Sequence, residues 1–309
     1  MRKDKEAFPP RPASGSAVRP YHPKDEPVVR ELINADRLPG QPCCTRDMLA
    51  DATRGPSHLA GWVAPAQPCI SVLADAEDRP HGVIVFLAWP DVPVGLICWL
   101  HAREDPAALR ALLTHAVAEL AGCPLVEAFV GAPPDTLGPG GLSRTRRAAT
   151  HHALLETGFT GRRQGCYLHR PLPVEGLPAK LVADVFPCEF PPGYRLIIRE
   201  ADEPVAETLV SVGPDHTATV RWIETLCTQR RHGLAQQLLS QALALLAEHG
   251  ATEVALVVED LPETVPDSRA APQLFNSFGF AFIDQLWTYE QRRPNQARTA
   301  GSDRASRQH

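Results

Sequence analysis

Twice in this chain a helix runs out in Gly-Phe and a strand follows: LLETGF, Leu154 to Phe159, and FNSFGF, Phe275 to Phe280. A glycine at that point is the left-handed residue that stops a helix. The same order of elements surrounds both places. Three strand-like runs lead into a long amphipathic helix, then a strand, the Gly-Phe helix and a closing strand. A chain that repeats such an order folds as two related units, and 309 residues suffice for two cores.

The first block opens with a strand near Ala17 to Tyr21 and helices around Lys24 to Asp36 and Thr45 to Thr53. Its strands are CISVLAD, GVIVFLAW and VGLICWLHA. Asp105 caps the next helix and Pro106 suits its first position; Leu109, Leu112, Leu113, Ala116, Val117 and Leu120 recur at helical spacing. LVEAFV, a helix near Thr145 to Thr157 and a strand around Gly165 to His169 complete the block. The second block reads YRLIIRE, VAETLVSV and TATVRWIETL, a helix with Leu234, Leu238, Leu239, Ala242, Leu245 and Leu246 on its apolar face, then EVALVVE, PQLFNSFGF and FIDQLWTYEQR. It lacks the opening strand and two helices. The blocks are parted by RPLPVEGLPAKLVADVFPCEFPPG, whose six prolines mark a linker. The expected organisation is a disordered tail over 1–16, a first domain over 17–172, a linker over 173–192, a second domain over 193–293 and a disordered tail over 294–309.

A formal net charge of −5 argues against a general nucleic-acid binder. No apolar run is long enough to span a bilayer, and the charged N-terminus has no apolar secretory core, so a cytoplasmic protein is expected. None of the eight cysteines forms a C-x-x-C pair; reduced, mostly buried thiols and no metal are expected. The neighbours His151 and His152 do not make a metal site. Trp62, Trp89, Trp99 and His115 read as structural, and GPGGLSRTRR, Gly138 to Arg147, as a flexible basic loop.

The segment LCTQRRHGLAQQLL carries the chemistry. Arg230, Arg231 and His232 run into Gly233, where a strand has just ended and an amphipathic helix begins. A helix N-terminus offers N–H groups without intrahelical acceptors and a positive dipole end. Gly233 lets the backbone approach an anion closely, and Ala235 keeps the next point small. This is the physics of a pyrophosphate site, although the patterns of a Walker loop and of a dinucleotide fingerprint are both missing.

TLCTQRRHGLAQQLL resembles the acetyl-CoA loop and helix of the GCN5-related N-acetyltransferase (GNAT) superfamily, whose signature [R/Q]-x-x-G-x-[G/A] is matched by Arg230, Gly233 and Ala235. APQLFNSFGF resembles that family's fourth-helix motif, A-x-x-L-Y-x-x-x-G-F, through Ala271, Leu274, Gly279 and Phe280. The first block reads HAREDPAALRALL where the loop should stand. The whole chain therefore resembles a tandem GNAT protein with a degenerate first copy, an α/β (α+β) fold in which each domain has a mixed, mostly antiparallel central sheet flanked by helices.

The resemblance implies an acetyl-CoA-dependent N-acetyltransferase acting on a small-molecule amine or a protein N-terminus. Amides of Arg230, Arg231, His232, Gly233, Leu234 and Ala235 would hold the pyrophosphate, and a backbone N–H around Leu226 the thioester carbonyl. Phe275 stands where the family often carries a tyrosine, the proposed acid for the CoA thiolate. Glu224, the carboxylate in the strand entering the loop, is the candidate general base. Arg221 and Trp222 are candidates for lining the acceptor pocket. Strand alternation puts Trp222 and Glu224 on one face and Arg221 on the other, unless a bulge intervenes. The alternative reading is a non-catalytic acyl-CoA-binding or regulatory protein.

Overall fold

A computed structural model describes residues 15–54, 68–89, 92–130, 140–174, 182–189, 192–260 and 270–293. Trp62, most of the tails and much of the linker lie outside them. The first half contains β1 (Ala17–Pro20), α1 (Glu26–Ala35), α2 (Arg46–Arg54), β2 (Cys69–Ala74), β3 (Pro80–Ala88), β4 (Val94–His101), α3 (Pro106–Glu119), β5 (Leu125–Ala128), β6 (Leu142–Ser143), α4 (Ala148–Glu156) and β7 (Thr160–Pro171). The second contains β8 (Asp184–Cys188), β9 (Gly193–Glu200), β10 (Glu203–Val212), β11 (Thr217–Thr225), α5 (Leu234–Glu248), β12 (Glu253–Glu259), α6 (Ala270–Ser277) and β13 (Ala281–Arg292). The opening strand thought missing from the second half is β8, inside the proline-rich stretch read as linker, where it pairs with β9. Pro187 interrupts it, which an edge strand tolerates because its outer side needs no ladder donor.

The mixed, mostly antiparallel sheets expected of the two halves join edge to edge into one sheet, in the order β1-β2-β3-β4-β5-β13-β7-β12-β11-β10-β9-β8, with β6 beside β13. The halves exchange their last strands. β13 pairs with β5 of the first half, and β7 pairs with β12 of the second. Each half has one parallel pair, β4–β5 and β11–β12; the other described pairs are antiparallel. Because successive central strands alternate in direction, the carboxyl ends of β4 and β11 point to opposite ends of the sheet.

Apolar periodicity decides which elements share a core. Leu109, Leu112, Leu113 and Ala116 of α3 meet Ile84, Ile97 and Leu100 of the sheet, together with Tyr289 from the exchanged β13. Leu238, Leu239, Ala242, Leu243 and Leu246 of α5 meet Leu196, Val220 and Leu256. On the opposite side, α1 and α2 cover β2–β4 through Val29, Leu32, Ile33 and Leu49. The matching face of β9–β11 has no such helices among the described residues.

Within the basic segment read as a flexible loop, residues 140–147 are described and are ordered. β6 pairs with β13, and Arg147 is buried. Asp284 of β13 is buried and accepts hydrogen bonds from Ser143 Oγ and from the amides of Thr145 and Arg146 at 2.9 Å each. Burial pushes this carboxyl up, but the donors from Ser143, Arg146 and Thr145 outweigh burial and hold it below the usual carboxylate range. A lowered folded value means that this stability is present above the unfolded pKa and is lost as pH falls through the folded one. Asp284→Ala should leave these donors unsatisfied and cost about 1–3 kcal/mol. Urea midpoints would read the loss, and the difference between variant and wild type should shrink under acid.

Of the eight cysteines expected to be mostly buried, only Cys44 and Cys123 are; Cys69 and Cys227 are exposed. Among the described residues no group of three His, Cys, Asp or Glu is placed to hold a metal. His151 instead shares a 2.7 Å hydrogen bond with Tyr289 Oη. His115 is structural, bonded to Ser71 Oγ at 3.0 Å. No helix of the described residues is long and apolar enough to cross a membrane.

Candidate functional site

The site begins where β11 leaves β12. The two strands are hydrogen-bonded only from Thr217–Glu253 to Val220–Leu256. β11 then continues along β10 to Thr225, while β12 continues along β7 to Glu259. Their facing edges part, leaving a cleft whose walls carry backbone N–H and C=O groups.

A bulge shapes one wall. Trp222 pairs with Leu209 and Val220 with Val210, so Arg221 is the extra residue. Thr208 Oγ1 donates to the Trp222 carbonyl at 2.7 Å and helps hold the bulge. Trp222 and Glu224 emerge on one face, as alternation requires, while Val220 and Ile223 face the α5 core. Glu224 lies directly across from Glu207, which pairs with Arg195. Glu224 is exposed and has no ion-pair partner among the described residues.

The first half carries the same device. Trp99 pairs with Val85 and Ile97 with Phe86, leaving Cys98 as the extra residue. Aligning the bulges matches Ile97-Cys98-Trp99-Leu100-His101 with Val220-Arg221-Trp222-Ile223-Glu224. Trp99 is 8% exposed beneath α1 and α2, whereas Trp222 is 37% exposed. His101, the counterpart of Glu224, is buried and bonded through Nδ1 to Asp36 at 2.7 Å. Burial pushes this imidazole below its ordinary value, with Asp36 opposing. Arg147 reaches Asp36 at 3.2 Å, Glu104 at 2.7 Å and the Leu100 carbonyl at 2.7 Å. The first half thus fills this region with its own side chains.

The two helix starts differ in the same sense. At α3, Asp105 accepts from the amides of Ala107 at 2.8 Å and Ala108 at 3.3 Å, so a carboxylate already occupies the anion position. α5 starts at Gly233 with no side-chain cap. Gly233 has φ 79° and Arg231 φ 68°, both left-handed. A Cβ on Gly233 would meet nothing closer than 3.8 Å, so the glycine answers to backbone conformation and leaves the approach open. His232 Nδ1 lies 3.2 Å from Gln229 Oε1, and Arg230, Arg231 and His232 are exposed around the turn. Leu234 and Ala235 form the first helical turn, whose amides have no intrahelical acceptor.

Two further residues singled out in the sequence, Leu226 and Phe275, are held by the sheet and by the core. The Leu226 amide donates to the Val205 carbonyl at 2.9 Å, continuing the β10–β11 ladder, so it is committed and does not face the cleft. Phe275 is 4% exposed in the α5 core, its ring 5.6 Å from that of Phe280. It packs in that core and offers no hydroxyl. Its counterpart by the Gly-Phe alignment is Leu154, also buried.

Sequence reading missed the loop after α1. Leu38 packs with Tyr167, Ala255 and Leu286. Tyr167 Oη donates to the Pro39 carbonyl at 2.9 Å, and the Cys43 amide donates to Asp215 at 3.0 Å. The first half thereby walls one side of the second half's cleft, on the face where the described residues of the second half form no helices.

Residues 164–280 match the model of the Acetyltransferase (GNAT) family. Among solved structures, a tandem GNAT protein from the clavulanic acid biosynthesis pathway aligns with a TM-score of 0.63 at 13% identity, covering 90% of this chain and 98% of that one. A GCN5-related N-acetyltransferase from Sphaerobacter thermophilus aligns with a TM-score of 0.60 at 14% identity, covering 91% and 97%. At such identities the likeness is one of fold. No curated protein sequence matches the chain.

Proposed function

Starting from residues 164–280 as a GNAT acetyltransferase domain within a tandem GNAT fold, we propose that the protein transfers an acetyl group from acetyl-CoA to an amine, with cofactor and chemistry in the second half. The observation that carries this reading is the contrast between the two helix starts. α5 opens at an uncapped, left-handed glycine beside Arg230, Arg231 and His232, while α3 is closed by Asp105. The residues present fit a pyrophosphate. First-turn amides supply donors, the dipole favours negative charge, and Gly233 adds no bulk.

Acetyl-CoA supplies the activated acyl group as a thioester. The parted edges of β11 and β12 offer donors and acceptors to the amides of the cofactor's arm. Glu224 takes the proton that an ammonium must lose before it attacks, directly or through water. A new C–N bond forms and the C–S bond breaks; the second proton of the attacking nitrogen passes to the departing thiolate, directly or through water, so that an amide and a free thiol result. Trp222, exposed two residues away on the same face, offers the acceptor an aromatic surface. The acceptor belongs to the class of small-molecule amines or protein N-termini.

A non-catalytic acyl-CoA-binding role is favoured by one observation, the lack of a hydroxyl at Phe275. Thiol release from acetyl-CoA across a panel of amines decides between the readings. Amine-dependent release supports transfer; CoA binding with no release above buffer for any amine supports the binding role.

A further inference from the structure

A small cavity sits where β11 and β12 part, lined by Thr219, Tyr167, Ala255 and Val257 of the sheet and by Gly40 and Gln41 of the loop after α1. We propose that this first-half loop closes the acyl end of the second half's cleft and limits the transferred group to about the size of acetyl. The inference rests on the proposed acyl-CoA chemistry. The pyrophosphate site lies at the wide, carboxyl-end mouth of the cleft. An arm that enters there and follows the open strand edges runs toward the point where the strands rejoin, Val220 beside Leu256. Its acyl group is then directed at the cavity, and any chain longer than acetyl meets the loop.

The loop is fastened to do this. Tyr167 holds Pro39, Asp215 holds Cys43, and Leu38 is buried between Tyr167 and Ala255. Gln41 turns back on its own loop, its Oε1 accepting from the Leu38 amide at 2.7 Å. Gly40 has φ 79°, and a Cβ there would stand 2.8 Å from the His169 ring and 3.0 Å from the Ala255 Cβ. Glycine is therefore what lets this stretch of backbone lie flat on β12. The first half thus contributes residues to a site whose phosphate loop belongs to the second.

The test compares butyryl-CoA with acetyl-CoA in binding and transfer, using full-length wild type, Gln41→Ala and Val257→Ala. Gln41→Ala opens the cavity from the first half and Val257→Ala from the second; thermal melts verify that each is folded. Two extra methylenes in an apolar pocket are worth roughly tenfold or more in discrimination. Both variants should therefore shift the butyryl-to-acetyl Kd ratio by about tenfold toward butyryl. If Val257→Ala broadens the range and a folded Gln41→Ala keeps the wild-type ratio, the first half has no part in the pocket and the proposal is overturned. A ratio unchanged in both variants overturns it as well. Free CoA titrated into wild type separates these failures from a deeper one: no binding of CoA would remove the functional reading itself.

Discussion

Gly233→Asp is expected to lower CoA affinity by about 10²-fold or more while the protein stays folded. Like charges forced together in a binding site cost several kcal/mol, and the phosphates approach where the new carboxylate would stand. The substitution also gives α5 the residue type that caps α3, where Asp105 accepts from the Ala107 and Ala108 amides. Gly233 is left-handed at φ 79°. Aspartate is among the non-glycine residues that visit that region more readily, and space around the Cβ is open, so the conformational cost is about 1 kcal/mol. Calorimetric titration with CoA, beside a thermal melt, reads both effects. A folded Gly233→Asp protein that binds CoA like wild type would mean that the loop serves another purpose.

Glu224→Gln is expected to reduce kcat on the acceptor by about 10²-fold near neutral pH, the usual size of a general-base contribution. The exchange keeps the shape and removes the basicity. Raising the pH should restore much of the rate, because the amine then arrives already deprotonated. CoA affinity should hardly change, since Glu224 stands on β11 before the phosphate loop. Turnover equal to wild type at pH 7 would make Glu224 a solvated residue of an open sheet face. The proton would then pass through water or to a first-half residue.

Local order was legible in the sequence, and long-range pairing was not. The amphipathic stripes of α3 and α5, the Asp105 cap and the glycine at the start of α5 each arise from a few neighbouring residues, and each stands where the pattern placed it. The exchange of β7 and β13 depends on which edge each strand meets. Apolar periodicity says only that a strand has a buried face, so the pattern was blind to the swap. β8 was hidden because prolines suggested a linker, although an edge strand accepts Pro187.

At the candidate site the same division holds. Trp222 and Glu224 share a face, as strand alternation indicated, and the bulge that was allowed for falls at Arg221. Leu226 and Phe275 were assigned from motif position, which carries no information about where an amide or ring points. One amide proved to belong to the sheet and one ring to the core. The loop from Leu38 to Cys43 has no recognisable motif; its position follows from contacts with Tyr167, Ala255 and Asp215, far away in sequence.

On the proposed function, the second half of this chain binds acetyl-CoA and the first half has closed its own site. Calorimetric titration of the full-length protein with acetyl-CoA tests it most directly. About one site per chain is expected, through the helix-terminus anion site at α5 alone. Two equivalent sites would show that Asp105, Glu104 and Arg147 do not close the first half, and the absence of any site would contradict the account as a whole.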